Sequence, residues 1–136
     1  MKEINIEIIT PSKVAFKGEV KAVTIPGTLG SFQVLFNHAP LMSSVEVGRV
    51  KIVDANEQVL EFATGGGTVE VLDNHILLLA ESLESKEEID VERAKDSLRR
   101  AKDRLSIANK KDVDSTRAEA SLQRAINRLK LCGHYN

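Results

Sequence analysis

Short runs of alternating hydrophobic and polar residues fill the first part of the chain and give way, near residue 85, to a longer period. Ile4, Ile6 and Ile8 alternate with Asn5 and Glu7 before Thr10-Pro11-Ser12, the pattern of a strand with one buried face that ends in a turn. Val20 to Ile25 stops at Pro26-Gly27, and Phe32, Val34 and Phe36 alternate before Asn37. Val45 to Val53 carries an internal Gly48, the mark of a bulge or a tight reversal. Val59 to Phe62 follows Asp54-Ala55-Asn56, Val69 and Val71 follow Gly65-Gly66-Gly67, and Ile76 to Leu79 follow Asp73-Asn74. The pattern predicts eight to ten short strands, arranged as two packed antiparallel sheets because a single sheet would leave one apolar face wet.

The second part has a helical period. Val91, Ala94, Leu98, Ala101, Leu105 and Ala108 form one seam, and Ala118, Leu122, Ala125, Leu129 and Cys132 form another. Asn109-Lys110-Lys111-Asp112 interrupts them, and Asp114 or Ser115 is placed to cap the second helix. So short a connection forces the two helices to be antiparallel neighbours. The fold class is therefore α+β: an N-terminal antiparallel β-sandwich over 1–84, then a two-helix hairpin over 85–136. Each seam alanine buries little apolar area, so the hairpin is expected to be marginal by itself and open to regulation.

Composition sharpens this picture in one respect. The 136 residues carry a net charge of -1, but residues 1–84 sum to -5 and 85–136 to +4. A near-neutral chain argues against a dedicated nucleic-acid binder. The single cysteine, Cys132, cannot form an internal disulfide. Met1-Lys2-Glu3-Ile4 is not followed by a long apolar run, so no secretory leader is expected, and the longest apolar stretch, Ile76 to Ala80, is too short to span a bilayer.

Candidate chemistry is concentrated in the arginines of the hairpin. Arg93 and Arg100 are one heptad apart, Asp90 is three residues before Arg93, and Arg124 and Arg128 are four apart. A reversal near Lys111 sets position 93 opposite about 129 and 100 opposite about 122, gathering four like charges at one end. Two readings fit: a phosphate site gripped by guanidinium forks, or a solvated face stitched by ion pairs. His38, His75 and His134 are scattered without carboxylates at ligand spacing, so no metal site is expected. Gly65-Gly66-Gly67 lacks the Lys-Ser/Thr of a phosphate loop and reads as a tight β-turn, and Cys132 reads as a small seam filler. No nucleophile, base and orienting group occur together, so no catalytic residue is assigned.

Thr10-Pro11, Gly30 leading into Val34-Leu35, Asn37-His38-Ala39-Pro40-Leu41, Gly65-Gly66 before Val69-Glu70-Val71, and Ile89-Asp90-Val91-Glu92-Arg93-Ala94 occur in that order. As an ordered set over essentially the whole chain, they resemble the epsilon subunits of bacterial F-type ATP synthases. The resemblance implies a non-catalytic rotor subunit, peripheral on the cytoplasmic face of the bacterial inner membrane. Its sandwich would meet the gamma subunit and the c-subunit ring. Its hairpin would either fold against the sandwich or extend to the alpha and beta subunits and block ATP hydrolysis. No cofactor is required, but ATP, with or without Mg, is implied as a regulatory ligand. ATP-binding relatives carry an Ile/Leu-Asp-x-x-Arg-Ala motif, an upstream Glu and two later arginines. Here these match Glu84, Ile89, Asp90, Arg93, Ala94, Arg124 and Arg128, with Arg100 in support. The gamma or c-ring contact is expected at Gly27, Thr28, Leu29, Gly30, Ser31 and Phe32 and at His38, Ala39, Pro40, Leu41 and Met42, apolar positions in exposed turns. The competing class is a free-standing adaptor whose basic hairpin binds nucleic acid; alternation of acids and bases along both helices weakens it.

Overall fold

The computed structural model describes residues 2–111 and 115–135, and the chain divides into two compact units, 1–85 and 86–136. Among the described residues, nine strands build the first: β1 (Ile4–Ile9), β2 (Val14–Gly27), β3 (Gly30–Val34), β4 (Leu41–Val45), β5 (Gly48–Asp54), β6 (Val59–Thr64), β7 (Gly67–Leu72), β8 (His75–Ala80) and β9 (Leu83–Ser85). A 3₁₀ turn at Lys86–Glu88 leads into the second unit, made of α1 (Val91–Lys111) and α2 (Thr116–Leu131).

The alternating residues meet in one core. Ile4, Ile6, Ile8, Val50, Ile52, Val69, Val71, Ile76 and Leu78 are all essentially inaccessible, while their polar neighbours face solvent. What joins the layers is β2. It is longer than the run Val20 to Ile25, because the pairing with β1 extends it back to Val14 and the pairing with β3 carries it forward through Pro26-Gly27. Val20 faces Ile4 on one edge and Asp54 on the other, so this strand belongs to both layers. Phe16, on the early half of β2, stands edge-on to Phe62 of β6 with ring centroids 5.8 Å apart. Gly18 and the charged Lys17 and Glu19 hide this half from a search for hydrophobic alternation.

Three further details depart from the sequence pattern. The pairings are antiparallel except β1 with β8, which run parallel with Asn5 opposite His75. Gly65-Gly66-Gly67 is a crossover, since β6 pairs with β5 and β9 whereas β7 pairs with β4 and β8. A Cβ on Gly67 would lie 1.9 Å from the Leu79 carbonyl oxygen, so close backbone approach demands glycine there. Gly48 is not a reversal but part of a bulge-like step: β4 and β5 both run antiparallel to β2, and a Cβ on Gly48 would strike the Pro26 ring at 2.7 Å.

In the helices the buried positions are mostly alanines: Ala94, Ala101 and Ala108 on α1, and Ala118 and Ala125 on α2 together with Leu129 and Leu131. The seam leucines Leu98, Leu105 and Leu122 are half-buried. Helix α1 does not break at Asn109 but runs through Lys111, since asparagine and lysine do not stop a helix and cations suit its C-terminal end. Asp112 and Asp114 lie outside the described residues. Ser115 precedes α2 but does not cap it through its side chain: its φ/ψ of -99°/1° is not the extended capping conformation, and its Oγ donates to Glu119 Oε1 at 2.9 Å instead. At the other end Gly133, with φ 75°, lets the His134 N–H reach the Leu129 carbonyl at 2.8 Å and closes α2.

Two outcomes follow for stability. Ile52→Ala should cost roughly 2–5 kcal/mol in denaturant unfolding of the sheet unit. Ala125→Phe should separate the helices and lower the helical ellipticity, while a chain cut after Ser85 keeps its strand signal by circular dichroism.

Candidate functional site

Helix α1 runs to Lys111 and α2 begins at Thr116. Arg93 and Arg100 stand two turns apart on α1, and Arg124 and Arg128 one turn apart on α2, so the arginines are spaced as a ladder along each helix.

The residue just before each seam position lies on one flank, and in an antiparallel pair the two such flanks share a side. That flank carries Arg93, Ser97, Arg100, Arg104 and Ile107 of α1, with Asp90 just before it, and Arg117, Ser121, Arg124, Arg128 and Leu131 of α2. Arg104 and Arg117 were not singled out in the sequence, although Arg117 precedes Arg124 by one heptad and Arg104 follows Arg100 by one turn. The ion pairs Lys95–Glu92, at 3.9 Å, and Arg99–Asp96 stand away from this flank. On it, the Arg100 guanidinium donates to Ser97 Oγ at 3.2 Å and the Arg124 guanidinium to Ser121 Oγ at 3.1 Å. Such hydroxyl partners hold a guanidinium without neutralising it.

The other members of the motif have visible structural duties. Asp90 is the cap of α1: its Oδ1 accepts the Arg93 backbone N–H at 3.1 Å and its carbonyl accepts that of Ala94 at 2.9 Å. Ile89 and Ala94 are buried, at 7% and 3% exposure. Glu84 is half-buried on β9 opposite Ala63, within the sheet unit. The resolved pKa shifts fall elsewhere: the neighbouring Glu3 carboxyl raises Glu19, and Glu57 raises Lys21. Among the described residues, no group of three His, Cys, Asp or Glu is placed to hold a metal ion.

A second surface belongs to the sheet unit. The β2–β3 hairpin turns at Thr28-Leu29, with Leu29 fully exposed, while Phe32 packs partly against the core. Ala39 and Pro40 are exposed and His38 is half-buried, its Nδ1 2.7 Å from the Ala39 carbonyl. Leu41 and Met42 are not in a turn but open β4, opposite Val71 and Glu70, with Met42 68% exposed beside Leu72. The segment leading to β4 is clasped to the β7–β8 turn. Asn37 N–H donates to Asn74 Oδ1 at 2.6 Å, and Asn74 Nδ2 donates to Asn37 Oδ1 at 3.1 Å. Both residues have φ near +60°, a conformation asparagine tolerates.

With this geometry in view, comparison with known proteins is decisive. Residues 3–86 match the ATP synthase delta/epsilon chain beta-sandwich domain, and residues 87–133 match the delta/epsilon chain long alpha-helix domain. The chain belongs to the ATP synthase delta/epsilon family. It is 39% identical to the ATP synthase epsilon chain of Salinibacter ruber over 76% of this chain and 74% of that one. The epsilon chain of Pelotomaculum thermopropionicum is 42% identical over 77% and 78%. A chain of the Euglena gracilis mitochondrial ATP synthase shares the fold, with a TM-score of 0.83 at 20% identity over 98% of this chain and 83% of that one. As an epsilon-type chain the protein is a non-catalytic rotor subunit of a membrane-associated complex. Membership displaces the nucleic-acid adaptor reading. Among the described residues, no helix is long and apolar enough to cross a membrane.

The capping geometry makes Asp90 separable from its neighbours. Asp90→Ala should lower the melting free energy of the hairpin by about 1 kcal/mol, whereas Asp90→Asn, which still accepts the N–H, should lose only a fraction of that; thermal melts followed by circular dichroism distinguish the two.

Proposed function

We propose that this subunit couples proton flow to ATP synthesis and restrains ATP hydrolysis through a hairpin that responds to ATP. The observation that carries the proposal is the arginine ladder on one flank, in which Arg100 and Arg124 have hydroxyl partners. Closely spaced guanidiniums repel one another and gain strongly from a bridging polyphosphate. Arg93, Arg100, Arg124 and Arg128 would grip the phosphates of ATP, bound with or without Mg. Glu84 and Asp90 would orient the base, the ribose or the guanidiniums, and Ile89 and Ala94 would set the α1 entry by packing. The bound nucleotide favours the compact hairpin by about 2.7 kcal/mol at a hundredfold excess over Kd, enough to move a marginal equilibrium. When ATP is scarce the extended hairpin reaches the alpha and beta subunits.

In the same proposal, the Gly27–Phe32 hairpin and the His38–Met42 segment contact the gamma subunit or the c-ring, because Leu29 and Met42 expose apolar side chains there. The subunit then sits peripherally on the cytoplasmic face of a bacterial inner membrane.

Calorimetry with MgATP and with ATP alone tests the switch: wild type should bind, and Arg93→Ala and Arg128→Ala should each weaken binding by about tenfold or more. Equal binding by all three, or none by wild type at millimolar ligand, refutes it. Leu29→Asp together with Met42→Glu should abolish co-purification with gamma while leaving the strand signal intact; retained co-purification removes this surface from the contact.

A further inference from the structure

Asn37, between β3 and β4, and Asn74, in the β7–β8 turn, bond to each other reciprocally. The Asn37 N–H donates to Asn74 Oδ1 at 2.6 Å, and Asn74 Nδ2 donates to Asn37 Oδ1 at 3.1 Å. The Asn74 carbonyl also accepts the Asn5 N–H at 3.0 Å, so this clasp is anchored on β1, whose Ile4, Ile6 and Ile8 lie in the core. On the other side, the His38 N–H donates to the Leu35 carbonyl at 3.1 Å and closes the turn that leads toward β4.

The backbone alone does not call for these side chains. Both residues have positive φ, 63° and 59°, which glycine adopts at no steric cost. Two asparagines that meet across 37 positions of sequence use their amides as well as their conformational tolerance. Asn37 is exposed and Asn74 half-buried, so water competes for these bonds and their net contribution to stability is small. Their consequence is positional. Asn37 lies on the lead-in to β4 and Asn74 on the lead-out from β7, and these two strands pair with Met42 opposite Glu70. Between them runs a cleft of about 320 Å³ whose walls include Pro40, Met42, Glu70 and Leu72. Met42 and Leu72, 68% and 47% exposed, stand on opposite walls, and the clasp ties one wall to the other.

We propose that Asn37 and Asn74 are positioning residues that hold the His38–Met42 segment in register with Leu72 for contact with the gamma subunit. The inference rests on the contact reading above and assigns two residues which that reading does not use. Its test is titration of the full chain with purified gamma subunit, with melting followed separately by circular dichroism. Asn37→Gly/Asn74→Gly keeps positive φ available but removes both amide bonds, and should raise Kd about fivefold or more. Two single variants of equal charge separate the roles. Asn37→Asp keeps an acceptor for Asn74 Nδ2 and should stay within about twofold of wild type. Asn74→Asp loses that donor and turns a carboxylate oxygen toward Asn37 Oδ1, and should weaken binding about fivefold or more. A merely structural clasp predicts a shifted melting temperature with an unchanged Kd. Wild-type affinity in a folded glycine pair overturns the inference, as do aspartate variants of equal affinity; if the glycine pair does not fold, the aspartate comparison decides. Failure of wild type to bind gamma overturns it together with the contact reading, whereas binding by wild type with no change in the variants overturns it alone.

Discussion

The burial of a narrow, alanine-rich stripe on each helix is the constraint on which the placement of the charged residues of the second unit depends. Ala94, Ala101, Ala108, Ala118 and Ala125 are buried together with Leu129 and Leu131, so the arginines are left beside that stripe on each helix. Arg100 and Arg124 each bond to a serine on their own helix.

The sheet unit is built for the opposite purpose. Its core residues come from strands far apart in sequence, joined by a β2 that serves both layers. Such a network of long-range pairing unfolds as a whole and offers a rigid platform. Rigidity matters at its surface, where the Asn37–Asn74 clasp holds the segment before β4 and presents Leu41 and Met42 on a paired strand.

Charge follows the same division of labour. The first part of the chain sums to -5 and the second to +4, and the positive excess is further sorted onto one side of the hairpin. Asp96 and Glu92 pair with their cations away from the ladder, while Asp90 is engaged at the N-terminus of α1.

Period alone determined the division into strands and a helical hairpin, because burial of one face imposes a two-residue repeat on strands and a three-to-four-residue repeat on helices. The ordered motifs pointed to the family, and the seams identified the residues that are buried. The chain pattern could not carry the early half of β2, the parallel β1–β8 pair or the crossover at Gly65-Gly66-Gly67, since each depends on partners distant in sequence. It placed Arg93 and Arg100 on the first helix and Arg124 and Arg128 on the second, where they stand, but not the end of α1, which runs on through Lys111. Asp90 as a cap, the serine partners of two arginines and the asparagine clasp were decided only by tertiary structure, where direction and distance, and not residue type, select the hydrogen bond.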